Sequence, residues 1–213
     1  YSTWCFVWYA FNALKKKNIR KRVFDFLVSL VGLFLFSPLL VLLSLLIKFT
    51  SKGTIFFFQE RVGENGVFFK MIKFRSMQMI QDSDSTISVK GDMRVTKVGS
   101  FLRRYKLDEL PELWNVLVGD MSLVGPRPDV PGYANFLRGE DRNILKLKPG
   151  ITGPASLKYA NEEEILSRQE NPKEYNDEII YPDKVRINLD YYYQSNLWID
   201  IKIIFATIFR TSY

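Results

Sequence analysis

The sequence predicts a helix-rich α+β protein with a small β-hairpin, anchored at the cytoplasmic face of a membrane by a proline-broken, re-entrant helix. Three observations carry this reading. Phe26–Ile47 holds no charged residue, yet Ser37-Pro38 interrupts it and basic residues flank it on both sides. Ile55–Gln59 and Val67–Phe74 are rich in β-formers and bracket Gly63-Glu-Asn-Gly66, as the strands and turn of a hairpin would. Leu110, Leu113, Trp114 and Leu117 recur at the i, i+3, i+4, i+7 spacing of one helix face.

Residues 1–22 read as an aromatic and basic segment on the membrane surface. Tyr1–Leu14 is aromatic and apolar, with neither a basic leader nor a small-residue cleavage site, so it reads poorly as a signal peptide. It is left open between the tail of an upstream membrane helix and a short interfacial segment. A first residue of Tyr1 rather than Met is what a fragment or a processed chain would have. Lys15, Lys16, Lys17, Arg20, Lys21 and Arg22 then suit anionic lipid headgroups. A nucleic-acid partner is not expected, because no basic–aromatic interleaving follows this run.

Residues 23–50 read as the re-entrant helix. An uncharged run of this length is ordinarily taken as a membrane span. Here Pro38 removes a backbone hydrogen bond near its middle, and Ser37 beside it can supply a partner for a freed carbonyl. Asp25 stands at the entrance, where an anion suits a helix N-terminus. Lys48 and Lys52 follow the segment. Positive residues mark the cytoplasmic side, so basic flanks at both ends fit a segment that enters and returns on one face. A kinked single-pass anchor is the alternative.

Residues 51–213 make the remaining domain. Ser51-Lys-Gly53-Thr54 is a turn, followed by the hairpin. Polar Gln81–Ser88 reads as a mobile loop and Val98–Tyr105 as a helix. The helix with the leucine face begins near Asp108, which puts Pro111 in its first turn, where proline is tolerated. Gly125-Pro-Arg-Pro128, Pro149-Gly150 and Gly153-Pro154 mark rigid loops, and charged Glu162–Asn176 a solvated helix. Asn196–Arg210 is apolar apart from Asp200, Lys202 and Arg210 and a few neutral polar residues; it is either a core helix or a helix lying on the membrane.

Composition limits the chemistry. A length of 213 residues suits one domain, with or without an appendage. A net charge of +7 favours an anionic partner. One cysteine, Cys5, excludes an intrachain disulfide and fits a reducing compartment. The absence of histidine excludes Ser-His-Asp and Cys-His catalysis and histidine-ligated zinc. Catalysis is left to carboxylates, lysines, arginines, hydroxyls or a metal held by oxygen.

The stretch Lys106-Leu-Asp108-Glu109-Leu-Pro111-Glu112-Leu-Trp-Asn115 offers such groups. Asp108 at a helix N-terminus would stay ionised, as a nucleophile or metal ligand requires. Glu109 beside it would be repelled unless a divalent cation bridged the two, and oxygen ligands favour magnesium or manganese. Arg103, Arg104, Lys106 and Arg127 suit a diphosphate. The plain alternative is a helix-capping Asp108 and a solvated Glu109, which spacing alone favours. Arg127 is held stiffly between Pro126 and Pro128, which points to positioning.

From Lys21-Arg-Val-Phe-Asp25 to about Arg210 the chain resembles the bacterial sugar transferase family, the monotopic phosphoglycosyl transferases. The resemblance rests on Ser37-Pro38, Gln59-Glu-Arg61-Val-Gly63, Lys73-Phe-Arg75-Ser-Met77, Lys97-Val-Gly99 and Leu102-Arg103. It continues through Leu107-Asp108-Glu109-Leu-Pro111, Asn115-Val-Leu, Gly119-Asp-Met-Ser-Leu-Val-Gly-Pro-Arg127-Pro128 and Lys148-Pro-Gly-Ile-Thr-Gly153. It implies transfer of a sugar-1-phosphate from a UDP-sugar to a polyprenyl phosphate, with release of UMP, at the cytoplasmic face of the bacterial inner membrane. This is the initiating step of glycoconjugate synthesis.

By the same resemblance Asp108 is the nucleophile of a covalent phosphosugar intermediate and Glu109 a magnesium ligand; the residues themselves add Asp108 as a second ligand and manganese as a second candidate ion. Arg103 and Arg127 hold phosphates, Lys73 is an active-site lysine, and Arg75 joins the phosphate-binding candidates from the same motif. Asp190, in Leu189-Asp190-Tyr191-Tyr192, matches an acidic position without an assigned role. A homodimer is left open. Two departures stand out: Glu112 where many members have glutamine, and Pro-Ala-Ser-Leu-Lys158-Tyr159 after Gly153, which bears on sugar identity. A catalytically silent membrane scaffold would lack the acids that this chain keeps. A membrane-bound nucleotide-sugar hydrolase would need no lipid acceptor.

Overall fold

The computed structural model describes residues 2–78 and 95–211, with side chains from Ile19 onward. The polar run Gln81–Ser88 and the side chains of Lys15, Lys16 and Lys17 lie outside the described residues. A long helix, α1 (Ser2–Thr50), leads into the hairpin β1 (Phe56–Val62) and β2 (Phe68–Phe74). Then come α2 (Lys97–Arg104), a 3-10 turn at Leu107–Glu109, α3 (Glu112–Val118) and a short strand β3 (Ser122–Val124). Strand β4 (Gly150–Thr152), α4 (Pro154–Lys158), α5 (Glu162–Ser167), α6 (Pro172–Tyr175), α7 (Tyr181–Gln194) and α8 (Leu197–Phe209) complete the chain. The fold is thus helix-rich with small sheets.

Helix α1 runs through Pro38 without a change of assignment. Proline at 38 leaves the carbonyl of Phe34 without its usual amide donor. Ser37 Oγ donates to that carbonyl at 2.8 Å, the compensation read from the dipeptide. The apolar side chains of the helix mostly point away from the protein: Phe34 is 83% exposed and Leu35 68%. So much uncovered apolar surface requires an apolar surrounding.

Where α1 does touch the domain, it is held by polar groups at its entrance and leucines at its exit. Arg22 donates to the carbonyls of Val116 at 2.5 Å and Leu117 at 2.6 Å, satisfying the C-terminal end of α3. Lys21 pairs with Asp200 of α8 at 2.6 Å. Asp25 is buried and accepts from Ser122 Oγ at 2.8 Å and Leu123 N at 3.2 Å, on β3. At the far end Leu43 and Ile47 form a buried cluster with Phe74 and Leu102, joined by Leu107 and Leu110. The main core, with Met71, Val116, Met121, Val124, Tyr191 and Ile203, joins hairpin, α3, β3, α7 and α8.

The hairpin pairs antiparallel, with Phe56 opposite Phe74 and Val62 opposite Phe68. Its first strand runs three residues past the predicted Gln59, because Glu60 and Arg61 continue the ladder against Lys70 and Phe69. The rigid loops read at Gly125 and Pro149-Gly150 flank a parallel pair that sequence patterning misses, Ser122 opposite Gly150 and Val124 opposite Thr152. Here backbones meet without side chains: a Cβ on Gly150 would lie 2.1 Å from Gly125 N.

Three expectations are corrected. The leucine-faced helix starts at Glu112, not near Asp108, and Pro111 precedes it as N-cap. Its buried side is Glu112, Asn115 and Val116, while Trp114 is half exposed. Leu113 packs against the main core and also faces Gly32 of α1, so the apolar stripe partly serves the long helix. The charged run at 162–176 is broken before Pro172: α5 covers its first part, and α6 continues through a π-helical turn at Asn176–Ile180 into α7, which has no counterpart in the sequence reading.

Helix α8 packs one face into the core, as its first reading expected. Asp200, Ile203 and Ala206 are buried, whereas Trp198, Phe205 and Phe209 are exposed on the other side.

Asp25→Ala leaves Leu123 N–H buried without an acceptor, which costs about 2–3 kcal/mol. The melting temperature of the detergent-solubilised protein should fall by roughly 5–10 °C. Ser122→Ala keeps that amide bonded and should cost about half as much. An unchanged melting temperature for Asp25→Ala would contradict this role.

Candidate active site

Three elements bring charged groups to one place. Strand alternation puts Lys73 on the inner face of the hairpin, the same face as Gln59, Arg61 and core residue Met71. The 3-10 turn offers Asp108 and Glu109, and α3 adds Glu112 from its first turn. Leu107 and Leu110, on either side of the acids, pack with Leu43 and Ile47 and so fix the turn against α1. Lys106 enters the turn with φ of 57°, a left-handed conformation that costs a lysine on the order of 1 kcal/mol. Arg127 comes from the loop after β3, between its two prolines.

Opposite charges alternate within this cluster. Lys73 Nζ lies 2.9 Å from Glu109 Oε1 and 3.2 Å from Glu112 Oε1. Arg127 approaches Glu109 with both terminal nitrogens: Nη2 contacts Oε1 closely, and Nη1 lies 3.4 Å from Oε2. Burial pushes the Glu109 carboxyl up, but Arg127 and Lys73 outweigh it and hold the group well below the carboxylate range. Glu109 in turn holds the Arg127 guanidinium firmly protonated. Glu112 is pushed up, first by burial, against the pull of Lys73.

Asp108 differs from its neighbour. It is 7% exposed and its Oδ1 makes no hydrogen bond. Burial, with Glu109 second, pushes its carboxyl above the usual range, against the opposing fields of Lys73, Lys106 and Arg103. A helix N-terminus that keeps it ionised is therefore not what surrounds it. It sits in a 3-10 turn and caps no helix. The capping alternative fails with it.

Other anticipated residues are placed differently. Arg103 pairs closely with Glu163 of α5, although its field reaches Asp108. Arg75 is buried and donates to Lys52 O at 2.7 Å, Ser51 O at 3.0 Å and Ser51 Oγ at 2.7 Å. It ties down the chain leaving α1, so its guanidinium is committed to backbone rather than turned to a ligand. Asp190 lines a cavity of about 470 Å³ between α4, α7 and α8, which none of the clustered acids lines.

Two residues were not anticipated. Arg61 donates to Pro128 O at 3.0 Å and Gln59 Oε1 at 2.6 Å, steadying the loop that carries Arg127. Its place on the same strand face as Lys73 is the signal that strand alternation would have given. Burial, then Arg127, lowers its guanidinium to about 10. Asp129 accepts from Tyr181 at 3.3 Å, and burial raises its carboxyl to about 6. Nothing in the sequence joins Asp129 to a tyrosine so far along the chain.

The family model described as bacterial sugar transferase matches residues 16–212. The chain belongs to the bacterial sugar transferase family.

It is 40% identical over 195 residues to the UDP-glucose:undecaprenyl-phosphate glucose-1-phosphate transferase of Klebsiella pneumoniae, covering 89% of this chain and 39% of that one. It is 37% identical to the UDP-N-acetylgalactosamine-undecaprenyl-phosphate N-acetylgalactosaminephosphotransferase of Aeromonas hydrophila, covering 88% and 42%. The exopolysaccharide production protein ExoY of Rhizobium meliloti is 34% identical, covering 90% and 84%. The chain thus spans about two fifths of the length of the first two relatives and most of the third.

The donor chemistry of this cluster would suit magnesium or manganese. Such ions are commonly held by one or two carboxylates together with substrate phosphate and water. Asp108 has a buried carboxylate oxygen without a partner, and Glu109 adjoins it. Among the described residues no group of three or more acids, histidines or cysteines forms a protein-only cage.

The Asp129 shift makes a pH prediction. Its folded value of about 6 exceeds the ordinary 3.8, so the folded state holds this proton more tightly. Below pH 4 the shift confers its full relative benefit; between pH 4 and 6 the unfolded state deprotonates first and stability declines. Asp129→Asn removes this dependence. Relative to wild type, the variant should gain about 1–2 kcal/mol between pH 4 and pH 7, discounting for partial exposure. Thermal melts at the two pH values check it; equal differences at both would contradict it.

Proposed function

We propose that this chain moves a sugar-1-phosphate from a UDP-sugar to a polyprenyl phosphate at the cytoplasmic face of the bacterial inner membrane, by way of Asp108. The observation that carries the reading is the buried, unpartnered Asp108 Oδ1 beside the Lys73–Glu109–Arg127 cluster. A desolvated carboxylate oxygen with no hydrogen bond to break is a good nucleophile toward phosphorus. Asp108 attacks the phosphorus that bears the sugar. The bond from that phosphorus to the bridging oxygen breaks, UMP leaves with that oxygen, and an aspartyl phosphosugar remains. An oxygen of the lipid phosphate then attacks the same phosphorus and expels the Asp108 carboxylate, giving a polyprenyl-diphosphate-sugar.

Lys73 and Arg127 are positioned to hold the diphosphate and offset charge that builds on the transferred group. Asp108 and Glu109 would hold magnesium or manganese, which would polarise the phosphoryl oxygens when bound. Arg103 is retained as a phosphate ligand that must first leave Glu163, whereas Asp190 is given no part. The relatives are named for different sugars, glucose and N-acetylgalactosamine, so the proposal is made at the level of UDP-sugars. Their names share undecaprenyl phosphate, which supports the lipid acceptor and a place at the start of glycan assembly.

Intact-mass measurement after incubation with the right UDP-sugar and no lipid should show an added sugar-phosphate mass. Asp108→Asn should abolish the adduct and lower turnover by at least about 10⁴-fold, and chelation of divalent ions should suppress both. Near-normal turnover in Asp108→Asn would sink the assignment. UMP release that does not depend on polyprenyl phosphate would favour a hydrolase.

We further propose that α1 enters and leaves the membrane on one face. The basic flanks, Ser37-Pro38 and the Ser37–Phe34 hydrogen bond support this. In a Cys5→Ser background, Ile19→Cys and Ser51→Cys should both react with an impermeant thiol reagent from the cytoplasmic side. Pro38→Leu restores the missing backbone hydrogen bond and should move the residue 19 probe to the opposite side. Opposite-side labelling in the protein with Pro38 would reject re-entry.

A further inference from the structure

Among the described residues of the site, Lys73 is the cation in contact with two carboxylates. Its Nζ is 2.9 Å from Glu109 Oε1 and 3.2 Å from Glu112 Oε1. Coulomb attraction varies as the inverse of distance, so the two pulls on Lys73 differ by only about a tenth in the same surroundings. Glu112 is the most deeply buried of the three acids at 1% exposed, and its Oε1 makes no hydrogen bond. A buried carboxylate so placed is costly unless a cation stays with it. Glu109, by contrast, has Arg127 as a second cation and can release Lys73 without being left alone.

We propose that Glu112 is a positioning residue: it is the standing counter-ion of Lys73, and by holding Lys73 it sets how readily Glu109 is released to a divalent cation. This rests on the reading of Asp108 and Glu109 as metal-binding acids. Glu109 is contested between the cations that now hold it and the metal ion. As long as Glu112 is charged and in reach, Lys73 has somewhere to remain when Glu109 turns away. Without it, Lys73 has Glu109 alone among these acids, holds it harder, and the metal must displace a stronger ion pair. A bystander Glu112 would act in another way, as one more negative charge attracting the metal through space. The two accounts separate on whether Lys73 is required.

The full chain in nanodiscs is titrated with Mn2+, and the free ion is read by electron paramagnetic resonance. Four proteins form a cycle: wild type, Glu112→Gln, Lys73→Met and the double variant. Glu112→Gln should weaken Mn2+ binding roughly fivefold to tenfold when Lys73 is present. In the Lys73→Met background the same change should shift affinity by less than about twofold. Glu112→Asp keeps the charge but withdraws it from Lys73, and should weaken binding as Glu112→Gln does; it carries the test if Glu112→Gln does not fold. Equal weakening with and without Lys73 would overturn the proposal, as would wild-type affinity in Glu112→Gln or Glu112→Asp. Absence of Mn2+ binding by the wild-type protein would overturn the metal reading of Glu109 itself, and this inference with it.

Discussion

A single turn of α1 joins an apolar helix to a polar domain. Arg22 meets the carbonyl end of α3, Lys21 meets Asp200 of α8, and Asp25 meets Ser122 and the Leu123 amide of β3. All of these partners lie far from α1 in sequence, and they belong to elements that line the main core. Buried charges of this kind are tolerated only when every partner is present, so the junction has one good geometry rather than several. Because α1 is otherwise mostly uncovered, that geometry fixes the height and rotation of the domain on the helix.

The site inherits its placement from the same helix. The leucines flanking Asp108 and Glu109 pack on the exit half of α1, so the acidic turn is positioned by apolar contacts just outside it. The hairpin brings Lys73 from one side and the proline-held loop brings Arg127 from the other. The outcome is an ordered alternation of charge in which Glu109 is neutralised and Asp108 is left with a buried oxygen that has no hydrogen-bond partner. The proposed transfer of a sugar phosphate from a water-soluble nucleotide to a lipid phosphate would need its nucleophile at a fixed depth, and rigid attachment of the turn to α1 is a direct way to obtain it.

Several features follow from local pattern alone. Uncharged Phe26–Ile47, the hairpin and the apolar Asn196–Arg210 run were legible because periodicity and turn chemistry are short-range properties. The helix at Tyr181–Gln194 was not, because its buried face includes Asn188 and Tyr191, which carry little hydrophobic signal. Strands β3 and β4 were missed because three-residue strands owe their existence to the contact between them. Arg75 and Arg103 show the same limit in chemistry: each stands in a motif that carries the family resemblance, yet one is bound to the backbone after α1 and the other to Glu163.

Sequence by itself determined the family, the apolar helix with its serine–proline pair, and the adjacent acids with lysine and arginine nearby. It could do so because residue type and spacing carry those signals directly. Only tertiary structure decided the electrostatic character of each acid. Asp108 and Glu109 are neighbours of nearly identical chemistry, but burial without a partner raises one, while two cations from distant elements hold the other down. A pKa depends on solvent exclusion and on charges within a few ångströms, and the chain supplies both only after it has folded.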